Sequence, residues 1–180
     1  MTHPRRLRCR WPSLCWPALL CVAWLGLAAS AHADVYDEVL RPLQAGQTAQ
    51  ARQRAEQHLQ QHPQDPQMRL ILAQVQDAQG QTAEAVATLE ALAGRYPELP
   101  EVHNNLAVLY ARQGRLELAL QFLQSAIRTR PDYAVALENL GDLHTRLAQQ
   151  AYGRAQQITP ALRRLSVKID QSRQILQTSP

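Results

Sequence analysis

Cysteine, tryptophan and lysine are almost absent from most of this 180-residue chain. All three cysteines (Cys9, Cys15, Cys21) and all three tryptophans (Trp11, Trp16, Trp24) fall before Asp34. Beyond that point the sequence offers no disulfide, no thiolate metal site and no cysteine nucleophile. Lysine occurs once, as Lys168, against 18 arginines. Four of those arginines (Arg5, Arg6, Arg8, Arg10) also precede Asp34, in a segment that holds no acid. From Asp34 onward there are 15 bases and 15 acids, so the net charge of +4 belongs to the leading segment. A neutral body argues against nucleic-acid binding, which needs a basic face.

The leading segment, 1–33, has the order of an export signal. The arginines form a positive start. Ala18 to Ala29 is an unbroken apolar run. Ser30-Ala31-His32-Ala33 ends in the small-x-small pattern that a signal peptidase accepts. The apolar run would rise only about 18 Å as a helix, short of the roughly 30 Å hydrocarbon core, which disfavours a membrane anchor. Cys21 follows Leu19-Leu20, where a lipidation signal carries a small residue. The expected mature chain starts at Asp34 and is exported, to the periplasm if the source is Gram-negative, with no stable membrane insertion after cleavage.

What the rest does have is a period. Gly46, Gly80 and Gly114 are 34 apart, as are Pro63, Pro97 and Pro131, and Ala51, Ala85 and Ala119. Three series sharing one spacing mark an internal repeat. Gly80 and Gly114 each separate two stretches of helical apolar periodicity, where glycine allows the left-handed backbone that ends a helix. Pro66 and Pro100 suit the first position of a helix, whose N–H has no partner in any case. Asp65 is placed to cap the helix that Pro66 begins. The alanines let paired helices approach closely. The repeat units are a degenerate first at 34–63, a second at 64–99 and a third at 100–133, with 134–180 left over.

The third unit carries a resemblance. His103-x2-Leu106-Ala107-x2-Tyr110, then Ala119, Leu123, Ala126 and Pro131, resembles the tetratricopeptide repeat pattern, of a secreted bacterial type given the leader. The second unit matches through Leu72-Ala73, Gly80, Ala85, Leu89, Leu92 and Pro97. The first keeps Gly46, Ala51, Ala55, Leu59 and Pro63 but has Glu38 where leucine is usual and Pro42 near the end of its first helix. The resemblance implies an all-α fold, an antiparallel helix-pair solenoid with about three repeats, followed by a long helix and a C-terminal capping helix. Leu106, Tyr110, Leu123 and Ile127 are expected to be buried between its helices.

The long helix is expected because a turn is missing. Leu137-x2-Leu140-Gly141-x2-His144 opens a fourth unit, yet the next turn position is Ala148, with no glycine there. Pro160 follows Pro131 by 29, five short of the period. Aligned from Pro160, Ala148, Tyr152 and Ala155 reproduce the pattern of a second helix, so the five absent positions are the turn itself. One helix is therefore predicted over 134–158. Leu162, Leu165 and Ile169 then give a final helix over 160–176 one apolar face and a polar exterior.

Chemistry-bearing motifs are few. GxSxG, GxxxxGK[ST] and HExxH are all absent, so no catalytic residues, cofactor or metal are expected and the sequence does not read as an enzyme. His58 and His62 share a helix face at i, i+4, but no carboxylate at ligand spacing completes a metal set. His103 and His144 fall on the inward-packing face. The glutamines at 44, 47, 50, 53, 57, 60, 61 and 64 read as solvated helix surface.

In the family, repeat positions 2, 5, 9, 12 and 13 face a concave groove, and the resemblance carries that role to particular residues here. They are Gln67, Leu70, Gln74, Asp77 and Ala78; Glu101, Asn104, Val108, Ala111 and Arg112; and Val135, Glu138, Asp142, Thr145 and Arg146. Arg112 and Arg146, 34 apart, should stack as a short ladder. Their guanidinium forks suit a carboxylate, on acidic side chains or at a peptide's C-terminus. Alternatively they pair with Asp77, Glu138 and Asp142 inside the groove. No groove position is lysine, so the lysine-rich carboxylate clamp of chaperone-binding relatives is absent. The expected function is an exported scaffold binding a protein or peptide in its groove. The alternative is an envelope assembly factor or pilotin-type adaptor acting through the convex face or the C-terminal helix.

Overall fold

The computed structural model describes residues 35–178, and the expected export signal lies outside them. Among the described residues the secondary structure is helical, with no strand. Residues 35–44 form α1. Then come α2 (Thr48–Gln61), α3 (Pro66–Ala78), α4 (Thr82–Arg95), α5 (Pro100–Arg112), α6 (Leu116–Thr129), α7 (Ala134–Ile158) and α8 (Arg163–Gln177).

Each of the three turn glycines does what its spacing implies. Gly46, Gly80 and Gly114 have φ of 74°, 76° and 75°. At Gly114 the N–H of Arg115 donates to Tyr110 O at 2.9 Å and the N–H of Gly114 donates to Ala111 O at 3.1 Å. This pair of bonds satisfies carbonyls left open at a helix end and lets the chain reverse within a tight turn. Gly80 and Gly46 repeat the same bonding, through Gln81 N to Gln76 O and Gln47 N to Pro42 O. The helix starts are also legible. Pro66 and Pro100 occupy the first helical positions, and the Asp65 carboxylate accepts from Met68 N at 3.0 Å.

The core runs along the seam between paired helices and between successive units. Ala51, Ala85 and Ala119 are fully buried, with Leu89, Leu92, Val102, Leu106, Leu123 and Tyr110 also buried. Ile127, expected in the same core, is only half-buried at its margin. Polar links tie one unit to the next. Arg52 of α2 donates to Gln81 Oε1 at 2.5 Å and lies 3.5 Å from Glu84 Oε2. Tyr110 of α5 donates to Glu90 of α4. Within the third unit, Arg130 pairs with Glu101 at 2.8 Å, while its guanidinium sits 3.9 Å from the centre of the Tyr133 ring. The glutamine-rich surface is exposed at every one of its expected positions.

α7 is one uninterrupted helix of 25 residues. No residue near 148 takes the left-handed conformation that turned the earlier units. The missing turn has a cost at positions the repeat pattern directs inward. Leu137 is 46% exposed. His144, expected to pack inward, is exposed as well. In the third unit the equivalent His103 and Tyr110 are covered by α6, their rings 6.1 and 5.5 Å from that of Phe122. In the fourth unit no second helix folds back to do the same. α8 packs on α7, with Leu165 buried and Leu162 and Ile169 half-buried, as their spacing requires. Its exterior is less polar than expected, because Val167 and Ile175 remain exposed.

Candidate functional site

The groove-facing positions lie on α3, α5 and the first half of α7. Gln67 and Gln74 are exposed, as are Arg112 and Glu138, while Glu101, Val108, Asp77, Asp142 and Arg146 are half-buried. Two of the expected contact residues are instead structural. Leu70 is buried in the core cluster. Asn104 is buried too, and its Oδ1 accepts from Asn139 Nδ2 at 2.8 Å. Apolar Leu70 gains more from burial than from a wet groove wall. A buried amide needs a partner, and Asn139 supplies it across the joint between the third and fourth units.

Two hollows open along this face. One, of about 120 Å³, is lined by Ala73, Gln74, Asp77, Leu89, Asn105, Val108 and Leu109. The other, of about 200 Å³, has an apolar base built from Ala107, Val108, Ala111, Leu123 and Leu143. Arg112, Asn139, Asp142 and Arg146 supply its polar lining, and Leu176 of α8 closes it. The two arginines therefore reach the same hollow, as their spacing implies, but they differ in state. Arg112 pairs with Asp77. Among the described residues, Arg146 has no ion-pair partner within 4.0 Å, although it sits one helical turn from Asp142. The repeat register points to neither Leu176 nor Asn139. Asn139 lies one position off the groove register. Leu176 belongs to a helix outside the repeat, but its spacing from Leu162, Leu165 and Ile169 continues their stripe.

Two tyrosines away from the groove positions have shifted pKa values. Burial raises the Tyr110 phenol above its usual 10.0, with its hydrogen bond to Glu90 adding to the effect. Tyr133 is raised for the same first reason, then by Glu101, with Arg130 opposing. His58 is taken up by Asp65, Nε2 to Oδ2 2.7 Å, and its ring centre lies 4.7 Å from that of His62. Among the described residues no group of three His, Cys, Asp or Glu side chains could hold a metal ion.

The tetratricopeptide repeat model matches residues 36–100 and 74–134, more than half of the sequence. The chain belongs to the tetratricopeptide repeat family. No curated protein sequence matches it. A thermophilic tetratricopeptide repeat protein of Thermus thermophilus superposes with TM-score 0.59 at 22% identity, over 77% of this chain and 79% of that one. The first tetratricopeptide domain of Spaghetti, bound to the HSP90 peptide SRMEEVD, superposes with TM-score 0.57 at 13% identity, over 63% and 90%. A member of the Naa15/Naa10 assembly bound to HypK-THB does so with TM-score 0.57 at 19% identity, and this protein spans only 22% of its length. At these identities the likeness establishes the tetratricopeptide fold. Among the described residues, no helix is long and apolar enough to cross a membrane.

Proposed function

We propose that this tetratricopeptide repeat protein is an exported scaffold that binds a protein or peptide along its groove, and that the ligand is anchored at the hollow between α5 and α7. One observation carries the reading. An apolar base meets, at one place on the groove face, the side chain of Arg146, which among the described residues no acid within 4.0 Å neutralises. A pocket of this kind takes an aliphatic side chain with a carboxylate beside it, and a guanidinium fork can hold that carboxylate through two parallel hydrogen bonds. The peptide held by the Spaghetti domain ends in Val-Asp, which has both groups. Arg112 contributes less, because Asp77 already occupies it.

The test is fluorescence anisotropy with a library of labelled peptides that vary at the last two residues. Arg146→Ala should weaken the best binder at least tenfold and Arg112→Ala much less. Equal affinities for wild type and Arg146→Ala would sink the reading. Export is part of the proposal: mass spectrometry of the secreted protein should give a first residue of Asp34, and a membrane-bound species retaining Trp24 would contradict it.

A second reading rests on α8. Val167 and Ile175 are exposed on it, which suits an assembly factor or pilotin-type adaptor that docks a partner there. Replacing both by glutamine should leave peptide binding intact and abolish assembly if that reading holds.

A further inference from the structure

We propose that two copies of this chain exchange the halves of α7, forming an antiparallel two-fold dimer in which each fourth repeat is completed by the other copy. The dimer does not depend on the groove or its ligand.

α7 contains both halves of a repeat on one unbroken helix. Its first half carries the first-helix pattern, Leu137, Leu140, Gly141 and His144. Its second half carries the second-helix pattern, Ala148, Tyr152 and Ala155, equivalent to Ala119, Leu123 and Ala126 of the third unit. In the third unit these two patterns meet because Gly114 reverses the chain. In α7 they cannot meet within one copy, since the helix runs unbroken from Ala134 to Ile158. The slot left open on Leu137, Gly141 and His144 is that of an antiparallel helix. α7 of a second copy, placed across a two-fold axis, is antiparallel and presents the matching half. Exchanging identical elements is a low-cost route to a dimer, and a shortened hinge favours it.

The register follows from the third unit. Phe122 lies against both His103 and Tyr110, so it sits opposite Ala107 between them. Carried to the fourth unit, Ala151 of one copy sits opposite Gly141 of the other. Leu137 then meets Ala155, and His144 meets Ala148. The six positions 137, 141, 144, 148, 151 and 155 are spaced 4, 3, 4, 3, 4, which reads the same in both directions. An antiparallel pair therefore matches this seam to itself along its whole length. The spacing is also that of a coiled-coil seam. All six positions are exposed or half-exposed, and none carries a carboxylate, lysine or arginine, so pairing brings no like charges together. The seam is about 27 Å long at a helical rise of about 1.5 Å per residue. One such helix pair buries less than the ~800 Å² per partner of a standard interface, so the dimer should be weak and concentration-dependent.

The sequence has no cysteine after Cys21, which makes crosslinking decisive. In the full chain with Cys9, Cys15 and Cys21 changed to serine, Gly141→Cys and Ala151→Cys are introduced together. A Cβ at Gly141 meets nothing within 4 Å, so the change is tolerated in the single copy. On one helix the two thiols stand about 15 Å apart and cannot bond within a copy, because a disulfide needs Cα atoms under ~7 Å apart. Mild oxidation of a concentrated sample should give a covalent dimer, while Gly141→Cys alone and Ala151→Cys alone should not. An intramolecular disulfide, no crosslink, or equal crosslinking by the single variants would each overturn the proposal. Sedimentation supplies the second measurement. Ala151→Glu should shift the weight-average mass to that of one copy at a concentration where the parent is part dimer, with helicity unchanged, and a parent that sediments as one copy throughout would also overturn it.

Discussion

The third and fourth units begin alike and end differently. His103-x2-Leu106-Ala107-x2-Tyr110 and Leu137-x2-Leu140-Gly141-x2-His144 place the same kinds of residue at the same turns of a helix. After Tyr110 the backbone reaches Gly114, reverses, and covers that face with α6. After His144 it reaches Ala148 and continues straight. A first-helix pattern thus directs residues inward only if something folds back to make an inside. The turn decides whether Leu106 is buried completely or its fourth-unit counterpart, Leu140, stays only half-buried.

The largest expected effect lies in the unit that closes. Leu106 is fully buried. Leu106→Ala should cost about 2–5 kcal/mol of stability, transfer loss plus cavity. Leu140→Ala, at the matching half-buried position of the fourth unit, should cost less. Chemical denaturation of both variants compares them directly, and equal losses would mean that the fourth unit is closed after all.

A smaller contrast separates two kinds of glycine. Gly114 holds a φ of 75°. Gly114→Ala should destabilise by about 1–2 kcal/mol, the cost of a left-handed residue with a Cβ. Gly153 is helical with open space around it. Gly153→Ala should stabilise by up to about 1 kcal/mol. Thermal midpoints moving in opposite directions would support the distinction, and a loss at Gly153 would place a bend where α7 is straight.

The smallest effect is a pH dependence at the joint between the second and third units. The folded state holds the Tyr110 proton more tightly than the unfolded chain, because burial and Glu90 raise its pKa above 10.0. As pH rises, the unfolded form therefore loses that proton first. The contribution to stability is complete below about pH 10 and declines as pH rises beyond it. Tyr110→Phe should flatten that part of the curve in alkaline denaturation, and an unchanged slope would remove Tyr110 as the cause.

Much of this molecule can be read from punctuation. Glycines, prolines and the Asp65 cap locate helix ends because each answers a local backbone need, and the absence of a turn residue at 148 is as informative as its presence at 114. Contacts that depend on tertiary placement are less legible. Leu70 and Asn104 occupy groove positions by count, yet one joins the core and the other bonds Asn139, outcomes decided by tertiary neighbours rather than by register. The sequence leaves two options open for Arg112, a ligand or an acid inside the groove, and stacking of successive units puts Asp77 beside it. Leu176 reaches the groove because α8 packs back along α7, which no repeat spacing encodes.

The most direct measurement concerns the rod itself. Spin labels on cysteines at Ala134 and Ile158, both exposed, report the span of the fourth unit by pulsed dipolar spectroscopy. An excess of unlabelled protein isolates distances within one copy. A straight helix should place the two backbones about 36 Å apart, at a rise of about 1.5 Å per residue. A population at about 10 Å, the spacing of packed helices, would mean that the backbone turns near 148 and that the fourth unit is a closed repeat.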